Sequence, residues 1–106
     1  MSLPVVVAEP AELQLRAIDT WWRAHRSAAP DLFAEEFAAA VETLSTLPSV
    51  GAPVRRPRLV ALRRVLLRAT RFHVYYVTTK QAVCIVAVWS AVRGSGPPIS
   101  VLAPPA

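Results

Sequence analysis

Hydrophobic positions along the chain change period twice, and the changes mark where helices give way to strands. Leu3 to Val7 is a short β-branched run that suits a strand. Pro4 has no amide hydrogen, so this strand belongs at a sheet edge or begins after it. Glu9-Pro10-Ala11-Glu12 opens a helix, because acids favour the positive end of the helix dipole and proline is tolerated in a first turn. Leu13 or Leu15, then Ala17, Ile18, Trp21, Trp22 and His25 form a helical stripe that should end near Arg26-Ser27. After the connector Ala28-Ala29-Pro30, Asp31 lies in the first turn of a second helix. Its stripe is Leu32, Phe33, Phe37, Ala40, Val41, Leu44 and Leu47, and Pro48 stops it. Two helices with a tight connector predict an antiparallel helical hairpin.

From Val65 onward the period is two. Phe72–Val77 and Ala82–Trp89, separated by Thr78-Thr79-Lys80-Gln81, read as an antiparallel hairpin, with Val65-Leu66-Leu67 as the strand before it. A loop of two or four residues at the break sets Val77 opposite Ala82 and Tyr75 opposite Cys84. Strict alternation then puts Phe72, Val74, Tyr76, Val83, Ile85, Ala87 and Trp89 on one apolar face. Arg71, His73, Tyr75, Val77, Cys84, Val86 and Val88 lie on the other. The first face is expected on the core, and the second, with Arg, His and Tyr in line, is where function is sought. Ser49 to Pro53 reads as a loop. The stretch before Val65 fits either a strand or a helical turn. The predicted fold is α+β, in the order β-α-α-β-β-β, with a helical hairpin packed on one face of a small, mainly antiparallel sheet. Residues 1–99 are expected to form one domain, with 100–106 as a proline-rich tail.

Composition changes little in this picture, and charge changes more. Apolar residues are 54% of 106, enough for one core. No apolar run approaches the roughly 20 residues that span a bilayer, and the first ten residues lack the basic start of a secretory signal. No membrane role is expected, and the cytoplasm is the default location. Cys84 alone makes neither an internal disulfide nor a metal site and reads as a small buried side chain. Two His, one Cys and acids confined to the helices form no ligand cluster, so neither a metal nor an organic cofactor is expected. All seven acids lie at or before Glu42, whereas nine Lys or Arg and no acid follow it. The strongly basic second half points to an anionic partner, either nucleic acid or an acidic protein segment. The alternative is that these arginines only solvate a face.

Three segments occur in order: Ile18-Asp19-x-Trp21-Trp22, Ala29-Pro30-Asp31-Leu32-Phe33 and Leu47-Pro48-x-Val50-Gly51-x-Pro53-Val54. The closing pattern is Leu66-Leu67-Arg68, Phe72-His73-Val74-Tyr75-Tyr76 and Val88-Trp89-Ser90-Ala91-Val92-Arg93-Gly94. Taken together, these segments resemble the RelE/ParE toxins of bacterial toxin–antitoxin modules, also called plasmid stabilisation proteins. The resemblance covers about residues 3–99 and implies the fold derived above. It also implies two possible activities. RelE-like relatives cut messenger RNA on the ribosome, and ParE-like relatives bind DNA gyrase and stall replication. Both are silenced by an antitoxin whose C-terminal segment wraps the toxin.

Cleavage needs a base near the ribose 2′-hydroxyl, cations around the phosphate and an acid for the leaving oxygen. His73 falls where RNA-cleaving relatives carry a catalytic arginine, and Arg68, Arg71 and Arg93 could supply cations. No Tyr or His follows Tyr76, so the acid is missing, and Ser90-Ala91-Val92 stands where cleaving members cluster basic residues. The expectation is therefore a ParE-like, cytoplasmic toxin that acts by binding, with a cognate antitoxin as its main partner and gyrase as the target the resemblance names. The runner-up is a RelE-like endoribonuclease with His73, Arg68 and Arg93 as its site and the ribosome with its message as partner. A non-toxic docking module is the third reading. Residues expected to bind target or antitoxin are Arg55, Arg56, Arg58, Arg63, Arg64, Arg68, Arg71, His73, Tyr75 and Arg93; arginine's planar fork pairs with carboxylate or phosphate alike. Tyr75 is read as a packing residue with a wet hydroxyl, Trp21 and Trp22 as core and interface, and Trp89 as core.

Overall fold

A computed structural model describes residues 2–55, 61–92 and 96–97. The elements run β1 (Val5–Val7), α1 (Glu9–His25), α2 (Leu32–Thr46), β2 (Ala52–Pro53), β3 (Arg63–Leu67), β4 (Phe72–Thr78) and β5 (Val83–Ser90). They form an α+β sandwich in which the two helices cover one face of a five-stranded sheet, ordered β1-β5-β4-β3-β2. Pairing is antiparallel except at β1, which begins just after Pro4 and lies parallel to β5 at the edge. The segment expected to be wholly loop contains the two-residue β2, paired with Arg63 and Arg64, and β3 begins two residues before Val65.

Both helices start with acids and without a side-chain cap. Glu9 and Glu12 lie in the first turn of α1, and Arg23 and His25 in its last, each matching the dipole. Asp31 is the residue before α2, not in its first turn. Its carboxylate accepts from Arg23 of α1 at 2.6 Å instead of capping its own helix, which ties the two helices at their junction. Leu47 ends α2 immediately before Pro48. The helices and sheet meet through Ala11, Trp22, Phe33, Leu44, Leu67, Val74, Tyr76, Val83, Ile85 and Val88. Phe33 sets its ring edge-on to Phe72, centroids 5.3 Å apart. Burying one such side chain stabilises the fold by about 1.5–3 kcal/mol. The Trp22 indole N–H, brought inside with its ring, donates to the Ala29 carbonyl at 2.9 Å, which satisfies that donor.

β4 and β5 are neighbours as expected, but in a different register. Thr78 pairs with Val83 and Val77 with Cys84, two residues on from the expected alignment, because the connection is Thr79–Ala82. The Thr79 side chain closes that turn, accepting from the amides of Gln81 and Ala82. Further along, Tyr76 pairs with Ile85 but Tyr75 pairs with Ala87, so Val86 is an extra residue in β5. This β-bulge breaks the strict alternation assumed from sequence. Beyond it the faces exchange: Val88 joins the helix-side core, while Ala87 and Trp89 turn to the opposite face. Helix α1 contributes to holding this irregularity, since Gln14 Oε1 accepts from the Val88 amide at 2.8 Å.

Candidate functional site

The face of the sheet turned away from the helices carries Arg64, Leu66, His73 and Tyr75, placed side by side by the β3–β4 register. It is not bare. Leu62, Tyr75, Val86 and Ala87 form a second small core, with Val54, Val77, Cys84 and Trp89 packed against it. Tyr75 is 2% exposed, so its ring is a core component and its hydroxyl is not wet. That hydroxyl accepts from Arg64 Nη1 at 3.3 Å. Cys84 is half-buried rather than buried, and Trp89 belongs to this second core instead of the one under the helices.

His73 sits edge-on to Tyr75, centroids 6.0 Å apart, opposite Leu66 on one side and Trp89 on the other. Its pKa lies below the usual imidazole value. Burial is the main cause, and repulsion by the Arg64 and Arg71 guanidiniums adds to it. The ring is therefore neutral at pH 7. It stands as an uncharged acceptor or donor between cations, not as a third cation.

The remaining sequence-chosen residues divide by position. Arg63 points the other way: its Nη1 donates to the carbonyls of Gly51 at 2.6 Å and Ser49 at 3.3 Å, which anchors the 49–51 loop. It does not join the His73 face. Arg68 and Arg71 bound the four-residue turn between β3 and β4, and both are exposed. Arg55 is exposed just after β2. Arg56, Arg58 and Arg93 lie outside the described residues, as does the tail from residue 98. Arg64, His73 and Tyr75 are thus brought together, Arg71 acts on His73 through its charge, and Arg63 is withdrawn.

The arginine turn is held from α2. Glu36 Oε2 accepts from the Ala69 amide at 2.7 Å, and Oε1 accepts from the Thr70 amide at 3.0 Å and its hydroxyl at 2.6 Å. Arg71 follows with a left-handed φ of 67° and donates its amide to the Leu67 carbonyl. Two grooves flank this turn. One, about 440 Å³, is lined by Val50, Val65, Leu66, Arg68 and Arg71. The other, about 680 Å³, runs between the C-terminal half of α1 and the end of the sheet, and Trp21, Arg26, Arg71 and Val92 are among its walls. Arg71 lines both. Among the described residues no three His, Cys, Asp or Glu side chains come together as a metal site, and no helix is long and apolar enough to cross a membrane.

The family model for the ParE toxin of the type II toxin–antitoxin system parDE matches residues 5–93. The chain belongs to the ParE toxin family. Among solved structures, a chain from the chromosomal ParDE toxin–antitoxin system of P. aeruginosa is similar, with a TM-score of 0.64 and 15% identity over 84% of this chain and 96% of that one. A mutant of E. coli toxin RelE carrying two arginine-to-alanine substitutions, in the free state, superposes with a TM-score of 0.57 at 16% identity, covering 87% and 86% of the two chains. At these identities the likeness is one of fold. A comparison with curated protein sequences yields no match.

Two features of this ParE-family chain escaped the sequence reading. Glu36 is one acid among several on α2, and nothing local marks it as the anchor of a turn more than thirty residues away. The Trp21 groove did leave a signal. Adjacent helical residues do not face the same way, so of Trp21 and Trp22 only one can enter the core. Trp22 does, and Trp21 stays 44% exposed.

Proposed function

We propose that this ParE-family chain is a growth-inhibiting toxin that acts by binding its target, with DNA gyrase as that target, and that a cognate antitoxin neutralises it. The observation that carries this reading is the ParE toxin family match across residues 5–93. The P. aeruginosa neighbour comes from a ParDE toxin–antitoxin system, which supports an antitoxin partner by analogy. The candidate site agrees with binding. His73 favours its neutral form, Tyr75 is 2% exposed and so withdrawn from substrate, and Tyr76 is engaged on the opposite face with Gly51 and Pro48. Among the described residues, none of these offers a free acid for a leaving 5′-oxygen, which cleavage of RNA requires. The exposed Arg55, Arg68 and Arg71, together with Arg64, are suited to gripping an acidic surface.

The test sets two assays side by side. Purified protein should inhibit gyrase supercoiling and leave ribosome-bound message intact. Codon-specific cuts in the ribosomal A site would instead establish an endoribonuclease, with His73 as base and Arg68 and Arg93 as phosphate cations. Normal growth of cells producing the chain alone would reject toxicity of either kind.

A further inference from the structure

We infer that Glu36 is a positioning residue for the target-binding surface: by gripping the turn between β3 and β4 it presents Arg71, with Arg68, as a preset cationic pair to an acidic patch of the target. The inference rests on the reading of this chain as a toxin that acts by binding gyrase, and it assigns the centre of that contact to the turn.

The backbone of Arg71 is the first argument. Its φ of 67° lies in the left-handed region, which glycine adopts freely and a residue with a side chain adopts at a cost. Bonds on every side hold it there. The Arg71 amide donates to the Leu67 carbonyl at 2.8 Å, and the Arg71 carbonyl accepts from the Ala91 amide at 2.9 Å. The two residues before it are fixed by the Glu36 carboxylate, through the Ala69 and Thr70 amides and the Thr70 hydroxyl. A non-glycine residue kept in such a conformation by its surroundings points to a functional constraint. What the strained backbone retains is the Arg71 side chain, which is exposed and lines both grooves beside the turn.

Charge around the turn is the second. Glu36 reaches the turn, yet its oxygens accept from two amides and a hydroxyl, not from a guanidinium. The ion pairs among the described residues are Arg16–Glu12, Arg23–Asp19 and Arg23–Asp31, so Arg68 and Arg71 take part in none. No acid follows Glu42 in the chain, so the strands that carry the turn supply no competitor. The anchoring acid thus orders the turn without pairing with the arginines at its ends. Between Arg68 and Arg71 lies the apolar floor of Val50, Val65 and Leu66. A carboxylate arriving there meets two planar forks whose backbone is already ordered, so less conformational freedom is lost on binding.

The experiment has two arms. Titration calorimetry of the full-length chain with DNA gyrase reads Kd and stoichiometry separately, and amide hydrogen exchange reads the turn with no target present. Glu36→Ala should raise Kd about tenfold, because the pair must then be ordered during binding. Glu36→Gln, which keeps one acceptor oxygen, should fall between the two and serves if Glu36→Ala does not fold. A role in folding alone would lower the stoichiometry and leave Kd unchanged. Arg71→Gly places glycine on a backbone that suits it, so it should hold or raise Tm while raising Kd about tenfold. With Arg68→Gln and Arg71→Gly both present, Glu36→Ala should change Kd by less than about threefold, since the arginines it presents are gone. In the free protein Glu36→Ala should speed exchange of the Arg71 amide about tenfold or more, while β4 keeps its protection. Equal Kd for the parent and both Glu36 variants would overturn the inference and leave the gyrase reading standing. So would tight binding by Arg71→Gly, or unchanged exchange at Arg71 in Glu36→Ala. A parent that does not bind gyrase would overturn the gyrase reading instead, and the exchange arm still decides whether Glu36 sets the turn. Duplex DNA bound by the parent in place of gyrase, and released by Arg71→Gly, would assign the pair to phosphate and overturn the inference too.

Discussion

Replacing Tyr76 with Phe removes one oxygen, and the structure specifies what that oxygen does. It accepts from the Gly51 amide at 2.9 Å and donates to the Pro48 carbonyl at 2.6 Å, so one hydroxyl clasps the 48–51 loop to the centre of the sheet. The side chain is completely buried. Without it the Gly51 amide is left inside with no acceptor, at a cost of about 1–3 kcal/mol, while the half-buried Pro48 carbonyl can turn to water. We expect Tyr76→Phe to lose about 2 kcal/mol in urea unfolding with an unchanged m value, and about 10 °C in Tm for a domain of this size. The hydroxyl has a second signature. Burial raises the Tyr76 pKa above 10.0, opposed by the Gly51 hydrogen bond and by Arg63. The folded state then favours the neutral phenol. Its contribution is complete below the unfolded pKa and is lost as pH rises above 10. The stability gap between parent and Tyr76→Phe should therefore narrow on the alkaline side of pH 10. A loss below about 0.5 kcal/mol at neutral pH, where a lost hydrogen bond alone is worth about that much, would show that water replaces the hydroxyl and refute the clasp. Gly51→Ala supplies a companion test. A Cβ there would lie 2.6 Å from the Tyr76 hydroxyl and 2.9 Å from the Arg64 carbonyl. Removing the hydroxyl relieves only the first clash, so a double-mutant cycle should show partial, not complete, coupling.

Two further outcomes follow from the same geometry. By NMR titration His73 should ionise below 6.5, and Arg64→Ala should raise that value only part of the way, because burial is the larger cause. Its contribution to stability is complete above 6.5 and falls as pH drops towards the folded pKa, so His73→Asn should flatten the acid side of the stability profile. Gln14→Leu leaves the Val88 amide without its acceptor beside the bulge and should cost about 1–2 kcal/mol in chemical unfolding. An unchanged midpoint would show that the bulge does not depend on α1.

Much of the fold was legible because it is written in local periodicity. Spacing of three and four marks α1 and α2, and Pro10, Asp31 and Pro48 locate their ends to within a residue or two. The β-branched runs mark β1, β3, β4 and β5 in their observed order. What periodicity could not show is the bulge. Val86 looks like every other valine in β5, and only the pairing of Tyr75 with Ala87 and Tyr76 with Ile85 reveals it as an insertion. One extra residue carries Trp89 from the expected core to the opposite face. The candidate site was legible in kind and less so in membership. The one-sided distribution of acids marked the second half as basic. It could not separate Arg63, whose guanidinium binds the Gly51 carbonyl, from Arg64, which reaches Tyr75.

The order of elements, the helical cover over one sheet face and the basic character of the second half were determined by the sequence itself, since each depends on residue type and on spacing within a few positions. Register, the bulge, the grip of Glu36 on the arginine turn and the groove beside Trp21 were decided only in the tertiary structure. Each depends on which backbone amide or ring arrives opposite a side chain from a distant segment, and no local pattern encodes that meeting.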